Sequence, residues 1–428
     1  MPLILGAQSA VATGYSIDNS LRFNNPDSPS MAYTIGSDGS LVANTINVWV
    51  KLDSVGAASP ILFQYVSGTI AKLYVGGTAS VSYQIQYYSN RTGESPAEPD
   101  RITTADYTDP SAWYNIHAVW DSDNGVAADR MRIYVNGTRV TDFTTEVNPE
   151  SGSEFGMFNY TDGARTLNIA TKPYGSSAYF GGYMANLIVC DGQTYEPSKF
   201  GEFNEDSPTI WQPLDPADQS LTFGTHGFWL DFADSADLGN DVSGNGNDFT
   251  PTNLAAVDQC TDSPTNNFCT LNPLWYADLD DNYPNYVVTN TGSTTWTVYN
   301  NPTSGGNSST FTDTAVAADD IIGVAYDADN GALYVALNND WMNSGDPTSG
   351  ASATGAIVSS ITVRNGGIIM PVQGCATAAS RTFSYNFGNP SYANSSDAAD
   401  ANGYGKFEFS PPSGYLALCT KNLGSDGG

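Results

Sequence analysis

Cations are scarce in this 428-residue chain: Lys and Arg total 15 against 45 Asp and Glu, a formal charge of −30. That balance argues against nucleic acid and anionic membrane as partners, because both need clustered cations to displace counterions or hold lipid headgroups. Histidine is scarcer still. His117 and His226 are the only two, so a site built on several imidazoles is excluded. Cys190, Cys260, Cys269, Cys375 and Cys419 form no CxxC pair, which argues against a zinc site. No window approaches the roughly 18 apolar residues of a transmembrane helix. The N-terminal MPLILGAQSAVATGY lacks a basic n-region, so synthesis in a cytoplasm without a secretion leader is expected. GxSxG, HExxH and P-loop patterns are missing, and so is any heptad run or long 3.6-residue period.

What the chain has is alternation. NTINVWVKL, KLYVGG, SYQIQYYS, NIHAVW, RMRIYVNG and LNIATK read as strands in the first half. DIIGVAYD, ALYVALN, SSITVR, TFSYNFG, GKFEFS and YLALCT read as strands in the second. Turns rich in Asp, Asn and Gly separate them, so the fold is expected to be all-β, a sandwich or jelly roll. One hairpin runs from Trp113 to Asp121 and returns through Met131–Val135, with Met131, Ile133 and Val135 on one face and Arg132 and Tyr134 on the other. Asn136-Gly137 then signals a type I′ turn. A second hairpin runs from Ile321 to Tyr326, turns at residues 327–331 and returns through Leu333 to Leu337. The same device in both halves predicts two tandem sandwiches. Residues 195–225 carry Pro197, Pro208, Pro213 and Pro216 and lose the alternation, which places the domain break near residue 225. The expected organisation is an arm over 1–14, a first sandwich over 15–225 and a second over 226–428.

These blocks also carry a family resemblance. YSIDNSLRFNNPDSPSMAYTI, NVWVKL, AWYNIHAVWDSDNGVAADRMRIYVNGTRV and YFGGYMANLIVCDG together resemble the laminin-G-like, concanavalin A-like jelly roll, in the version found in virion proteins of tailed bacteriophages. FWLDFADSADLGNDVSGNGNDFT, leading to DSPTNNFCTLNP, resembles the segment that follows that domain in such proteins. DIIGVAYDADNGALYVALNN and FEFSPPSGYLALCTKNL resemble the later half of a SPRY-type sandwich. Residues 274–320 are short, polar and rich in Thr, Ser and Asn where such a sandwich carries further strands, so this second domain is either trimmed or completed by a partner.

The resemblance implies a Ca²⁺ site on a sheet rim, with Asp241 as anchor and Asn245 and Asp248 beside it. The competing reading of this stretch is a tight Asn-Gly turn whose acids face solvent. Asp278, Asp280 and Asp281 form a second acidic cluster, read as hydrated side chains. For a sugar, Trp341 with Asn339 and Asp340 offers an aromatic platform edged by polar groups; the alternative is that Trp341 covers the edge of its own sandwich. Trp49, Trp113 and Trp120 alternate with apolar residues and are expected in the core. Catalysis is not expected. No E-x-D-x-x-E strand exists, and Glu146, Glu150 and Glu154 fall in what reads as a solvated loop. The cysteines read as buried thiols, with a Cys260–Cys269 bridge left open.

By resemblance, then, the chain is expected to be a non-enzymatic virion protein on the particle surface, as a tail-fibre or receptor-binding component or a capsid decoration. Its partners would be other virion proteins and a host surface glycan. Such appendages are commonly symmetric, so a homo-oligomer is expected, a trimer being one arrangement. The apolar arm of residues 1–14 would dock the chain to the particle. A polysaccharide depolymerase and a ligand-free capsid cement are the rival readings.

Overall fold

The computed structural model describes residues 14–53, 59–66, 68–76, 83–90, 98–158, 165–174, 178–205, 207–270, 286–290, 294–300, 308–359, 361 and 384–425. The arm docking expectation, Cys375 and the acids at 278, 280 and 281 lie outside them. The fold is all-β, and the one α-helix among the described residues is Thr420–Ser425. Two compact units divide the chain: described residues up to 270 with 391–393 and 419–425 form the first, and those at 286–390 and 394–418 form the second.

The first unit opens with β1 (Ser20–Phe23), β2 (Ser30–Ile35), β3 (Ala43–Leu52), β4 (Ser59–Val66), β5 (Thr69–Val75) and β6 (Ile85–Asn90). It continues through β7 (Asp100–Thr103), β8 (Tyr114–Asp121), β9 (Met131–Val135), β10 (Thr138–Arg139), β11 (Phe143–Val147) and β12 (Arg165–Ile169). Then come β13 (Thr171–Lys172), β14 (Ala178–Tyr179), β15 (Gly182–Asp191), β16 (Gly201–Phe203) and β17 (Trp211–Pro213). It ends with β18 (Phe228–Leu230), β19 (Thr250–Thr252) and β20 (Gln259–Cys260). One sheet runs β10-β9-β8-β3-β15-β1-β20, with β18 also on β15, and the other runs β11-β7-β6-β5-β4-β12-β2-β19.

Period two builds the core between these sheets. Ile46, Val48 and Val50 of β3 and Ile116, Ala118 and Trp120 of β8 point inward. They join Ala71, Leu73 and Val75 of β5 and Ile85 and Tyr87 of β6 in one buried cluster. Each large apolar side chain sealed there stabilises the sandwich by about 1.5–3 kcal/mol. The alternate residues of β3 face the other way, so Trp49 lies with Trp113, Ile17, Ala185 and Trp211 in a second buried cluster. All three expected core tryptophans are buried, but only Trp120 is between the sheets.

The first hairpin has the expected register, with Trp120 opposite Met131 and Ile116 opposite Val135. Asn136 and Gly137 both take positive φ, 49° and 72°, as a type I′ turn requires. Two expectations are corrected. Residues 226–270 do not start the second unit: β18 pairs with β15, β19 with β2 and β20 with β1. The proline-rich connector packs over the outer side of the first sheet, with Trp211 against Trp49 and Phe200 against Ile188, and the chain then goes on to complete both sheets. Glu146 is not in a loop but in β11, where it forms a 3.0 Å ion pair with Arg101. No disulfide joins Cys190, Cys260, Cys269 and Cys419.

In the second unit, β21 (Tyr286–Asn290), β22 (Thr295–Asn300) and β23 (Ser308–Thr312) form one three-stranded sheet. The polar stretch 274–320 therefore does supply strands. The expected second hairpin is β24 (Ile322–Asp327) with β25 (Ala332–Leu337), extended by β26 (Asp340–Trp341) into another three-stranded sheet. Trp296 stacks on Phe311 and is buried with Val335, Leu337 and Met342.

Candidate functional site

Asp241, Asn245 and Asp248 are brought together, but by hydrogen bonds that shape a loop. Asp241 Oδ1 accepts from the backbone N–H groups of Trp229 and Ser243, both at 2.9 Å. Its Oδ2 accepts from Ser243 Oγ at 2.8 Å and from Asn247 N at 2.9 Å. Asp248 Oδ1 accepts from Asp241 N, and Asn245 donates through Nδ2 to the carbonyls of Gly224 and Gly227. Four donors already converge on the Asp241 carboxylate, and their positive ends would oppose a cation there. The residues do not fit a Ca²⁺ ion, which needs free oxygen lone pairs. Among the described residues no group of three or more His, Cys, Asp or Glu could hold a metal.

In the second unit, Asn338 and Asn339 are a two-residue turn with φ of 50° and 70°, joining β25 to β26. Asn339 and Asp340 are exposed beside half-buried Trp341. The Trp341 ring, however, packs against Ala325, Ala332 and Tyr334, meeting Tyr334 edge-on at 6.5 Å. The three residues are neighbours, and the indole's principal contact is its own unit's apolar cluster.

His226, one of the chain's two histidines, lies beside a serine hydroxyl. Its Nε2 lies 3.2 Å from Ser37 Oγ and 2.8 Å from the Ser37 carbonyl, and its Nδ1 lies 3.2 Å from Tyr33 Oη. With Nε2 facing a carbonyl acceptor at the shorter distance, the ring donates there and is not placed as a base for Ser37.

A richer constellation lies on the outward face of the second sheet. Phe63 of β4 stands opposite Lys72 of β5, Lys72 opposite Tyr88 of β6, and Tyr88 opposite Asp100 of β7. Residues opposite one another share a face, so these four side chains form one row across four strands. The next row on that face holds Tyr74, Gln86 and Ile102. Lys72 Nζ lies 5.1 Å from the Tyr74 ring centroid and 4.9 Å from that of Tyr88. Tyr88 Oη donates to Glu98 Oε2, and Asn90 Nδ2 donates to Glu98 Oε1 at 2.7 Å. Gln86 Nε2 donates to both Asp100 oxygens, at 3.0 and 3.1 Å. Burial raises the pKa of the Asp100 carboxyl and lowers that of the Lys72 ammonium. The Tyr74 hydroxyl is buried without a hydrogen-bond partner among the described residues. Tyr65, further along β4, stacks on the exposed Tyr174 at 3.8 Å.

Sequence reading missed this face, although its signal was present. In KLY and SYQIQYYSN, period two sets Lys72 with Tyr74, and Gln86 with Tyr88 and Asn90. Only the antiparallel register joins the two strings into one surface.

Residues 28–193 match the family model described as "Concanavalin A-like lectin/glucanases superfamily". Among solved structures, the chain is similar to a heptameric SAP-like pentraxin from Limulus polyphemus, at 17% identity and TM-score 0.30, covering 42% of this chain and 80% of that one. It is similar to domains LG4-5 of the mouse laminin alpha1 chain, at 10% identity and TM-score 0.28, covering 43% and 44%. It is also similar to tailspike protein 2 of an Escherichia coli O157:H7 bacteriophage, at 11% identity and TM-score 0.23, covering 45% of this chain and 24% of that one. No curated protein matches the chain. The region 28–193, and the strands that close around it, are a laminin-G-type, concanavalin A-like jelly roll.

Proposed function

We propose that this protein binds saccharides through the outward face of β4–β7, as a displayed, non-enzymatic component of a tailed-bacteriophage particle. The observation that carries the binding reading is the accessible edge of that face, where Lys72, Gln86, Glu98 and Asp100 are partly or fully exposed and Tyr65 stacks on the exposed Tyr174, above a buried floor of Phe63, Tyr74 and Tyr88. Aromatic rings stack on the apolar faces of sugars, while fixed carboxylates and amides exchange hydrogen bonds with their hydroxyls. Glu98 and Asp100 are such carboxylates, already oriented by Tyr88, Asn90 and Gln86. The particle role rests on the ordered sequence blocks that resemble phage virion proteins, with a SPRY-like second domain, homo-oligomeric assembly and other virion proteins as neighbours. The net charge of −30 suits a surface crowded with copies of one chain, which repel rather than clump.

The test is titration of the full chain against a panel of host surface glycans, with Tyr88→Ala and Asp100→Ala as variants. Binding that both variants lose supports the reading, provided their unfolding midpoints stay near wild type. A panel with no binder overturns it. Release of reducing ends would turn the reading toward a depolymerase. Mass spectrometry of purified particles tests the virion assignment, which fails if the chain is missing from them.

A further inference from the structure

Among the described residues Lys51 is the one buried lysine, and it meets more than an acid. Its Nζ lies 2.7 Å from Asp262 Oδ2, 2.6 Å from Asn267 Oδ1 and 3.1 Å from the Phe268 carbonyl. Asp262 and Asn267 are each 1% exposed. A C=O bond is about 1.23 Å long, so Nζ stands no more than about 3.8 Å from Asn267 Cγ. An amine, a carboxamide carbon and a carboxylate are thus in contact with water excluded.

Each partner is aimed by its own hydrogen bonds. Asn267 Nδ2 donates to the Ser111 carbonyl at 2.7 Å, and its backbone N–H donates to Thr420 Oγ1 at 2.9 Å, which keeps Oδ1 and Cγ turned toward Lys51. Asp262 Oδ1 accepts from Trp113 Nε1 at 3.0 Å and from Phe268 N at 3.4 Å, which leaves Oδ2 for Lys51. The Tyr183 ring closes the site, its centroid 5.9 Å from Nζ. Held this way, the reacting groups need little further ordering, and the acid is within reach to carry protons between them.

The geometry points to an intramolecular isopeptide bond between Lys51 Nζ and Asn267 Cγ, with Asp262 as the proton carrier and the ion pair as the arrangement from which the bond forms. One proton passes from the Lys51 ammonium to Asp262, giving a neutral amine and a neutral acid. The amine lone pair attacks Cγ and forms a tetrahedral adduct. Asp262 gives its proton to Nδ2 and takes another from Nζ. The Cγ–Nδ2 bond breaks, ammonia leaves, and Asp262 stays protonated beside the new amide. Nothing is oxidised or reduced, and no co-reactant is needed. The reaction also removes two charges from the interior, where they are costly to hold. Lys51 and Asn267 stand 216 positions apart, so the bond closes a long loop and restricts the unfolded chain, which an ion pair does not. The inference is independent of the saccharide reading.

Mass spectrometry of the intact full chain, with its thiols reduced, tests it. The expected mass is one ammonia below that of the sequence. A tryptic digest is expected to show no cleavage after Lys51 and to contain a branched peptide in which Lys51 is joined to Asn267. Lys51→Met and Asn267→Ala are expected to keep their full sequence masses. Asp262→Asn is expected to do the same while keeping the circular dichroism of wild type; a branched peptide in that variant would take the carrier role from Asp262. A wild-type chain at its full sequence mass overturns the inference whatever the variants do. So does an ammonia loss that maps only to succinimides at Asn136-Gly137 or Asn245-Gly246.

Discussion

Lys51 Nζ lies 2.7 Å from Asp262 Oδ2, with both side chains sealed from water at 0% and 1% exposure. Lys51 also donates to Asn267 Oδ1 at 2.6 Å and to the Phe268 carbonyl at 3.1 Å. Asp262 Oδ1 accepts from Trp113 Nε1 at 3.0 Å. This network fastens residues 262–268 to β3 and to the second buried cluster. Removing one partner leaves the other charge buried and uncompensated, so Lys51→Met or Asp262→Ala is expected to cost about 3–5 kcal/mol. Urea unfolding checks this. The double variant Lys51→Met, Asp262→Leu is expected to lose less than the two single losses added together, and additivity would contradict the pairing.

That network also marks where sequence reading stopped. Alternation predicted β3, β5, β6, β8 and β9 because one buried face imposes period two on a run of residues. It could not place β18, three residues long, whose partner Leu187–Val189 lies on the far side of the proline-rich connector. Nothing local to Lys51 in NVWVKL announces an acid partner at position 262. The Asp241 loop shows the same limit. Its composition fits both a cation site and a turn, and the difference is made by the direction of four hydrogen-bond donors. Lys72 and Tyr88 were each visible on their strands, but their shared row is a property of register.

The Asp241 loop gives a second prediction. Asp241→Asn replaces one acceptor oxygen with an N–H₂ group facing the same donors, so stability is expected to fall by about 1–3 kcal/mol. Ca²⁺ is expected to leave the wild-type melting temperature where a chelator leaves it, since ligand linkage requires a site in the folded state. A Ca²⁺-dependent rise abolished by Asp241→Asn would contradict the hydrogen-bond account of this loop.

Gly137 carries a third. Its φ is +72°, and a Cβ there would stand 2.3 Å from Cε3 and Cζ3 of Trp211. The indole in turn donates to Asn115 Oδ1 at 3.1 Å, so it has little freedom to retreat. Gly137→Ala adds left-handed strain of about 1–2 kcal/mol to an overpacking cost of about 1–3 kcal/mol. The expected result is a lower urea midpoint together with altered tryptophan fluorescence. A variant as stable as wild type would mean that the turn does not hold Trp211 this closely.

His117 is expected to contribute to the acid sensitivity of the fold. It is buried against Tyr134 and Phe200, with Nε2 on the Tyr195 carbonyl at 3.0 Å and Nδ1 without a partner among the described residues. Burial, opposed by the bond to Tyr195 and aided by Arg132, pushes its pKa down to about 3 from an ordinary 6.5. The folded chain therefore holds the ring neutral while the unfolded chain protonates it. Its contribution is fully present above about pH 6.5 and is lost as the pH falls toward 3, at up to about 1.4 kcal/mol per pH unit. His117→Gln keeps a donor for Tyr195 and removes the titration. Urea midpoints measured from about pH 7.5 down to about pH 4 are expected to fall more steeply for wild type than for the variant. Parallel profiles would place the acid sensitivity in the carboxylates instead, and this histidine would then be a packing residue without a role in the pH response.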